Sequence, residues 1–314
     1  MVNEKHENPK TKLLEMLRNT AGELSGETMS RELNISRTAV WKHIAELKEK
    51  GYPLSASSRG YSLTEKTDFL YPWEFPGETG RVIYQPEVTS TMDLAKSIQL
   101  SAKTKGKLII LAEKQNKGRG RRNRAWVSKP GGLYMTLSLY PDLPMAYGNR
   151  VTMQAAAALV KMLREQYRVS ASIKWPNDIL VEGDKIAGIL TEMAGEPDRI
   201  QHLNVGIGIN IQNRIPKSLE RACTLRTLTG AKINRKEFLL AFMNTFNEFS
   251  WQPQSGLVTA WKKYSNTIGK TVTIRSPFRD VTGKAIDINE DGSLVLKTRN
   301  NTVTTIHNGD LCHE

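Results

Sequence analysis

The chain has 314 residues, 39% hydrophobic and 25% charged, with five histidines, two cysteines and a formal charge of +13. That is enough length for two or three domains with proper cores, and the positive excess points to polyanionic partners. Cys223 and Cys312 match no metal spacing, the histidines do not cluster, the first ten residues are polar, and no apolar run approaches the roughly 20 residues of a membrane span, so a reduced, cytoplasmic protein with no membrane partner is expected.

At the amino terminus, Leu13, Leu14 and Leu17 fall at helical spacing within residues 12–19, and residues 27–33 read as a short second helix. Ser36 is a good N-cap for a third helix running to about Lys50, with Gly51 at its end. Val40, Ile44 and Leu47 form the buried stripe of that helix. Arg37, Thr38, Trp41 and Lys42 are left on its opposite, first-turn face. Residues 52–55 and 60–63 read as a small hairpin with Ser57, Ser58 and Arg59 at its tip. Three short helices alone fit many domains that never meet DNA. With the hairpin they make a winged helix-turn-helix pattern, in which the third helix enters the major groove and the wing touches backbone or minor groove. Ser36, Arg37, Thr38, Trp41, Lys42 and Arg59 are therefore the candidate DNA contacts. Residues 1–66 hold eleven Lys/Arg and nine Asp/Glu, so affinity is expected to depend on where the cations sit and on dimerisation.

Residues 65–86 form a connection rich in Pro, Gly and aromatics, and a second domain begins near Val88. The strand-like run 108–113 leads into residues 118–126, which place Arg119, Arg121, Arg122 and Arg124 between two glycines and Trp126. Residues 114–129 hold seven cations and no acid. Charges packed this densely repel one another unless something anionic arrives. Glycine lets backbone N–H groups approach such an anion, and arginine grips it through two parallel hydrogen bonds. A solvated charge run is the plain alternative. The glycine spacing and the flanking apolar strands favour an anion-binding loop that orders on its ligand. Neither the dinucleotide fingerprint nor a P-loop fits, since Asn123 stands where a third glycine would fall and no Gly-Lys-Ser/Thr occurs at the needed spacing.

Residues 133–140 alternate in strand fashion, with Leu133, Met135, Leu137 and Leu139 on one face. Residues 154–167 make the most apolar helix. Lys174-Trp175-Pro176-Asn177-Asp178 then precedes two runs, 179–181 and 186–192, that form a hairpin about a Glu182-Gly183-Asp184 turn. Lys185 starts the returning strand, and Gly188 within it suggests close approach of a ligand or another backbone. Residues 202–210 read as a further strand, and 235–249 and 256–264 as helices. Strands and helices mix without strict alternation, which favours an α+β sheet over a doubly wound one. From Ile268 the helical signal stops, and runs at 272–274, 281–288, 293–296 and 303–306 alternate as a small β-barrel of about 45 residues.

Ser90-Thr91-Met92, Gln115, residues 118–126, 174–178 and 185–190, and Gly206-Ile207-Gly208-Ile209-Asn210 occur in the order seen in biotin protein ligases. With the amino-terminal module, the chain resembles the bifunctional biotin ligase/biotin operon repressor family along essentially its whole length. Members usually carry glycine where Asn123 stands. Asn tolerates positive φ, so the loop conformation is expected to survive. The resemblance implies an α+β multidomain architecture. Its parts are a winged helix-turn-helix over 1–66, a mixed α/β catalytic domain of the biotin/lipoate ligase type over 67–266, and an SH3-like β-barrel over 267–314.

It also implies two chemical steps. Biotin and ATP, with Mg²⁺, give biotinyl-5′-AMP and pyrophosphate. A specific lysine of a biotin-carboxyl-carrier domain of a biotin-dependent carboxylase is then acylated. Bringing a carboxylate to an α-phosphate joins two anions, so cations must cancel their repulsion. Lys185, Arg119 and Arg121 are the expected catalytic cations. Ser90, Thr91, Met92, Gln115, Arg119, Gly120, Arg121, Lys185 and Gly188 would hold biotin; Arg122, Arg124, Trp126, Asn177 and Asn210 would hold the nucleotide. Trp126 and Trp175 fit core aromatics equally well. Asn177 and Asp178 are open to either Mg²⁺ binding or orientation of the acceptor lysine. Mg²⁺ is expected to come with ATP, without a fixed protein site. The same adenylate would act as corepressor, promoting a homodimer that fits palindromic operator DNA. A ligand-sensing repressor without catalysis, a lipoate-type acyl ligase and a generic nucleic-acid binder are the competing readings. Pyrophosphate release and biotin–lipoate competition separate the first two.

Overall fold

The computed structural model describes residues 8–77, 81–101, 106–276 and 280–313. The first seven residues of the expected amino-terminal module, residues 78–80 of the connection and the last residue lie outside this range. The structure divides into two compact units: one of residues up to Tyr84 with Asn234–Lys236, the other of Gln85–Ile233 and Glu237 onward.

In the first unit, α1 (Pro9–Asn19), α2 (Gly26–Leu33) and α3 (Arg37–Glu49) are followed by the hairpin β1 (Leu54–Ser57) and β2 (Gly60–Leu63). Hydroxyl caps define the helix starts: Ser25 Oγ accepts from Thr28 N–H and Ser36 Oγ from Ala39 N–H, each at 3.1 Å. Asn34, at φ 51°, stops α2 in the left-handed conformation. Leu13, Leu14, Leu17, Met29, Val40, Ile44 and Leu47 fill one core with Tyr52 and Leu54. Each such side chain contributes about 2 kcal/mol on burial. The wing is pinned at Gly60 (φ 148°), where a Cβ would collide with the Leu24 carbonyl. Beneath it Glu74, 1% exposed, accepts from Arg18 Nη2 at 2.8 and 2.9 Å, from the Tyr52 hydroxyl at 2.6 Å and from Lys236 Nζ at 2.9 Å.

The second unit is built on a seven-stranded sheet ordered β3-β4-β5-β9-β8-β7-β6. Its strands are β3 (Val82–Val88), β4 (Leu108–Gln115), β5 (Leu133–Leu139), β6 (Ala171–Lys174), β7 (Asp178–Val181), β8 (Asp184–Glu196) and β9 (Arg199–Ile209). From β4 to β6 every neighbouring pair is antiparallel. α4 (Thr91–Ser101) packs on β4, β5 and β9, and α5 (Asn149–Tyr167) on β6, β7 and β8. α6 (Leu225–Thr229), α7 (Arg235–Glu248) and α8 (Leu257–Tyr264) follow. The strand read for residues 133–140 is β5, and all seven of its residues are buried, so both of its faces are covered. β4 and β9 cover its edges, and α4 covers the face of Thr136 and Ser138, where Thr136 donates to the Thr91 hydroxyl and Ser138 accepts from Gln99 Nε2.

The carboxy-terminal strands β10 (Thr271–Arg275), β11 (Val281–Ile288), β12 (Leu294–Thr298), β13 (Val303–Ile306) and β14 (Asp310–His313) form one antiparallel sheet. Its order is β13-β12-β11-β10-β14. The sheet is open, with β13 and β14 as its edges. Arg150, at the start of α5 and fully buried, anchors this region: its guanidinium donates to the carbonyls of Trp251, Gln252 and Glu290 and pairs with the Glu290 carboxylate.

Candidate active site

The hairpin β7–β8 turns through Glu182 (φ 53°) and Gly183 (φ 92°). Two consecutive positive-φ residues match the twist of the flanking strands. The turn sets Lys185 on the returning strand, where its Nζ reaches Asp178 Oδ1 at 2.7 Å. Gly188 pairs with Asp178 on one side and with Gly208 on the other. Added Cβ atoms at these two glycines would meet Trp126, whose ring centroid lies 5.2 Å from Lys185 Nζ. The glycines thus leave a slot over the sheet that Trp126 now fills. Its indole N–H is buried without a partner.

This slot belongs to a cavity of about 530 Å³. Ser90, Thr91, Met92, Gln115, Arg119, Gly120, Arg121, Arg124, Trp126, Asn177, Asp178, Lys185, Gly188 and Asn210 all line it. One wall is the start of α4. The Thr91 N–H and hydroxyl donate to Gln115 Oε1 at 2.8 and 3.1 Å, and Gln115 Nε2 donates to Ser128 Oγ at 2.8 Å. Ser90 Oγ accepts from Met92 N–H at 3.2 Å. Met92 Sδ lies where a side chain at Gly206 would need to go. Asn177 Nδ2 donates to the Ile189 carbonyl at 2.6 Å, and Asn210 Oδ1 accepts from Asn213 Nδ2 at 3.1 Å. Trp175, which also borders the cavity, is 2% exposed and donates its indole N–H to the Gly292 carbonyl at 3.0 Å.

The arginine loop is closed by its own backbone: Gly120 N–H donates to Arg124 O and Trp126 N–H to Gly118 O, both at 2.8 Å. Gly118 is required there, because a Cβ would lie 2.6 Å from Trp126 O. Gly120 has no such crowding. Arg122 and Asn123 adopt φ of 53° and 56°, so Asn123 takes the left-handed conformation a glycine would.

The anions expected from a ligand are in part supplied by the chain itself. Arg119 pairs with Asp93 at 2.6 Å and Glu192 at 3.4 Å. Burial disfavours its charge, but these two carboxylates outweigh burial and raise its pKa. Asp310 on β14 pairs with Arg122 at 3.1 Å and also with Arg124. Arg122 donates further to the Arg275 carbonyl and stands outside the cavity lining, unlike the other three arginines. Arg121 makes no ion pair among the described residues. Burial, then the Arg122 cation, lowers its pKa, with Arg124 adding to this and Asp178 opposing it. Of the loop arginines, Arg121 thus presents the cavity with a partly desolvated guanidinium that has no ion pair among the described residues, close enough to the Lys185–Asp178 pair to feel the Asp178 charge. Such a centre holds an anion strongly.

Several residues of the site carry no motif: Asp310, Ile215, Pro216 and residues 218–222 line the cavity, while Asp93, Glu192 and Ser128 hold lining residues in place from outside it. Among the described residues no group of three His, Cys, Asp or Glu side chains stands together as a metal site. In the first unit, Arg37, Thr38, Trp41 (59% exposed) and Lys42 face outward on α3. Arg37, Thr38, Trp41 and Arg59 line a concavity between α3 and the wing, and Arg59 pairs with Glu23 at 2.9 Å.

A cationic cavity on an antiparallel sheet, in a chain that also carries a helix-turn-helix unit, defines a ligase-type anion site joined to a DNA-binding module. Family comparison agrees. Residues 84–210 match the biotin/lipoate A/B protein ligase family, 10–62 an HTH domain, and 267–311 the biotin protein ligase C-terminal domain. The chain is 35% identical to the bifunctional ligase/repressor BirA of Bacillus subtilis, covering 95% of this chain and 97% of that protein. It is 29% identical to the protein of the same name from Escherichia coli, over 91% of each. It superposes on the biotin protein ligase of Aquifex aeolicus in complex with biotin and ATP with a TM-score of 0.62 and 28% identity, covering 74% of this chain and 97% of that one. The chain belongs to the biotin protein ligases, in the group of bifunctional ligase/repressors. No helix among the described residues is long and apolar enough to cross a membrane.

Proposed function

We propose that the protein joins biotin to ATP and passes the biotinyl group to a lysine of a biotin-carboxyl-carrier domain, and that it represses transcription through its winged helix. The observation that carries the enzymatic reading is the juxtaposition of Arg121 and Lys185 in one cavity, where Lys185 pairs with Asp178.

In the first step a biotin carboxylate oxygen attacks the α-phosphorus and pyrophosphate leaves. Arg121 and Lys185 hold the two reacting anions together, lowering a repulsion that would otherwise dominate the barrier. Arg119, already neutralised by Asp93 and Glu192, acts more through placing the loop than through free charge. Ser90, Thr91, Met92 and Gln115 supply a fixed polar wall for the ureido ring, with Gly120 and Gly188 leaving it room. Each buried polar group left unpaired would cost about 1–3 kcal/mol. Trp126, Arg124, Asn177 and Asn210 take the nucleotide, with Arg122 steering from outside the cavity. Magnesium would come with ATP, without a fixed protein site, and would neutralise the leaving pyrophosphate. Asp178 is left to Lys185 and to the acceptor amine in the second step.

The functional division is 1–66 for DNA, 67–266 for catalysis and 267–314 for an SH3-like closing module. Biotinyl-5′-AMP would order the arginine loop, shield the mixed anhydride from water and favour a homodimer that reads palindromic operator DNA. The reading is tested by incorporation of labelled biotin into a purified carrier domain. Transfer that needs ATP and biotin is expected; an ATP-independent signal, or lipoate outcompeting biotin, would overturn it.

A further inference from the structure

A second chamber of about 140 Å³ adjoins the main cavity and shares with it Arg121, Trp175, Pro176, Asn177, Ile189 and Leu190. It opens where Asn149, His307 and Asn308 are exposed. It then runs inward past Thr152 on α5 and Thr191 on β8, whose hydroxyls are 2.6 Å apart, with the fully buried ring of Trp261 as another wall. Its inner end is therefore Arg121 and Asn177 and its outer end is solvent.

Resting on the ligase reading above, we propose that this chamber is the entry for the acceptor lysine, so that biotin and nucleotide fill the main cavity while the amine arrives through a side door. Three features fit that occupant. At about 10–15 Å³ of such space per water-sized group, the chamber has room for the five heavy atoms of a lysine's four-carbon stem and nitrogen. Its walls offer apolar surface (Trp175, Trp261, Ile189) for the methylenes and neutral hydroxyls and amides near the path of the nitrogen. No carboxylate lines it, and Arg121 stands at its inner end. Desolvation and a like charge both disfavour an ammonium, so a lysine threaded here sheds a proton to water and arrives as the nucleophilic neutral amine. Its lone pair attacks the carboxyl carbon of the mixed anhydride. The C–N bond forms, the C–O bond to phosphate breaks, AMP leaves with that electron pair, and the nitrogen's second proton passes to water.

The test plugs the mouth from two exposed positions on different elements, Asn308→Trp and Asn149→Phe, neither of which is assigned to the main cavity. For each full-length variant, biotin-dependent pyrophosphate release and biotin transfer to a purified carrier domain are measured side by side. Hydroxylamine discharge of the preformed adenylate serves as a small-nucleophile control. Pyrophosphate release within about twofold of the parent, transfer to the carrier slowed by about tenfold or more, and normal hydroxylamine discharge are expected. Transfer at the parental rate in both variants would overturn the assignment. So would an equal fall of both half-reactions in folded variants, which would make the chamber part of adenylation. A parent protein that releases no pyrophosphate with biotin would instead defeat the ligase reading itself.

Discussion

Lys185 and Arg121 face the same space, but only Lys185 has a carboxylate within 2.7 Å. Lys185→Ala is expected to lower adenylate formation by about 10²–10³-fold, the usual effect of losing one preorganised charge at a developing anion, with the fold's melting temperature nearly unchanged. Rapid-quench measurement of the first step checks it, and unimpaired adenylation would remove Lys185 from the mechanism. Gly208→Ala tests the slot: a Cβ there runs into the Trp126 ring, so overpacking of about 1–3 kcal/mol is expected to appear as weaker nucleotide binding and an altered tryptophan emission. The cations at this scale were legible in the sequence because they cluster within a few positions. The carboxylates that hold them were not. Asp93, Glu192 and Asp310 lie far along the chain from the arginines they meet and carry no local pattern, so only the sheet and β14 bring them into range.

At the scale of elements, β14 joins the arginine loop through Asp310, and the amino-terminal unit is tied together at Glu74. Asp310→Asn frees Arg122 and Arg124 from their protein anion. A fall of several-fold in the KM for ATP, with the KM for biotin little changed, is expected from steady-state kinetics, and an unchanged KM for ATP would separate Asp310 from the nucleotide site. Glu74 gives a pH test. Burial alone would raise its pKa, but Arg18, Tyr52 and Lys236 outweigh burial and hold it below the usual 4.5. A carboxylate depressed in the folded state stabilises fully above the unfolded pKa, and that stability is lost as pH falls through the folded value. Glu74→Gln is therefore expected to destabilise this unit by about 3 kcal/mol at pH 7. The gap between parent and variant in thermal melts should narrow on acidification below about pH 4.5. A gap that stayed constant into acid would contradict the ion-pair assignment. The helices of this unit were legible from caps and apolar spacing. β3, α4 and β14 were missed: β3 is interrupted by Pro86 and half exposed, α4 begins inside the Ser90-Thr91-Met92 motif, and β14 is a four-residue edge. The β5 strand was legible from its alternation, but burial of its second face was not, because Thr136 and Ser138 are covered by Thr91 and Gln99 of α4, distant in sequence.

Across the whole molecule, the helix-turn-helix pattern and the ligase motifs lie in different stretches of chain, and the near-balanced charge of residues 1–66 places most of the positive excess elsewhere. Mixed α/β topology was legible from the irregular order of strands and helices, whereas closure of the last strands was not, because alternation alone does not distinguish an open sheet from a barrel. Separate modules should fail separately. Arg37→Ala and Lys42→Ala are expected to abolish operator binding in mobility-shift assays while biotin transfer stays at the parental rate, and joint loss in folded protein would contradict modularity. Sedimentation with and without biotinyl-5′-AMP checks the coupling between them, with dimerisation expected only in its presence. The most direct measurement of the central claim is incubation of the purified protein with biotin, Mg²⁺ and ATP labelled at the α-phosphate. Biotin-dependent appearance of labelled biotinyl-5′-AMP is expected, and a protein that binds biotin yet forms no labelled adenylate would be a sensor instead of a ligase.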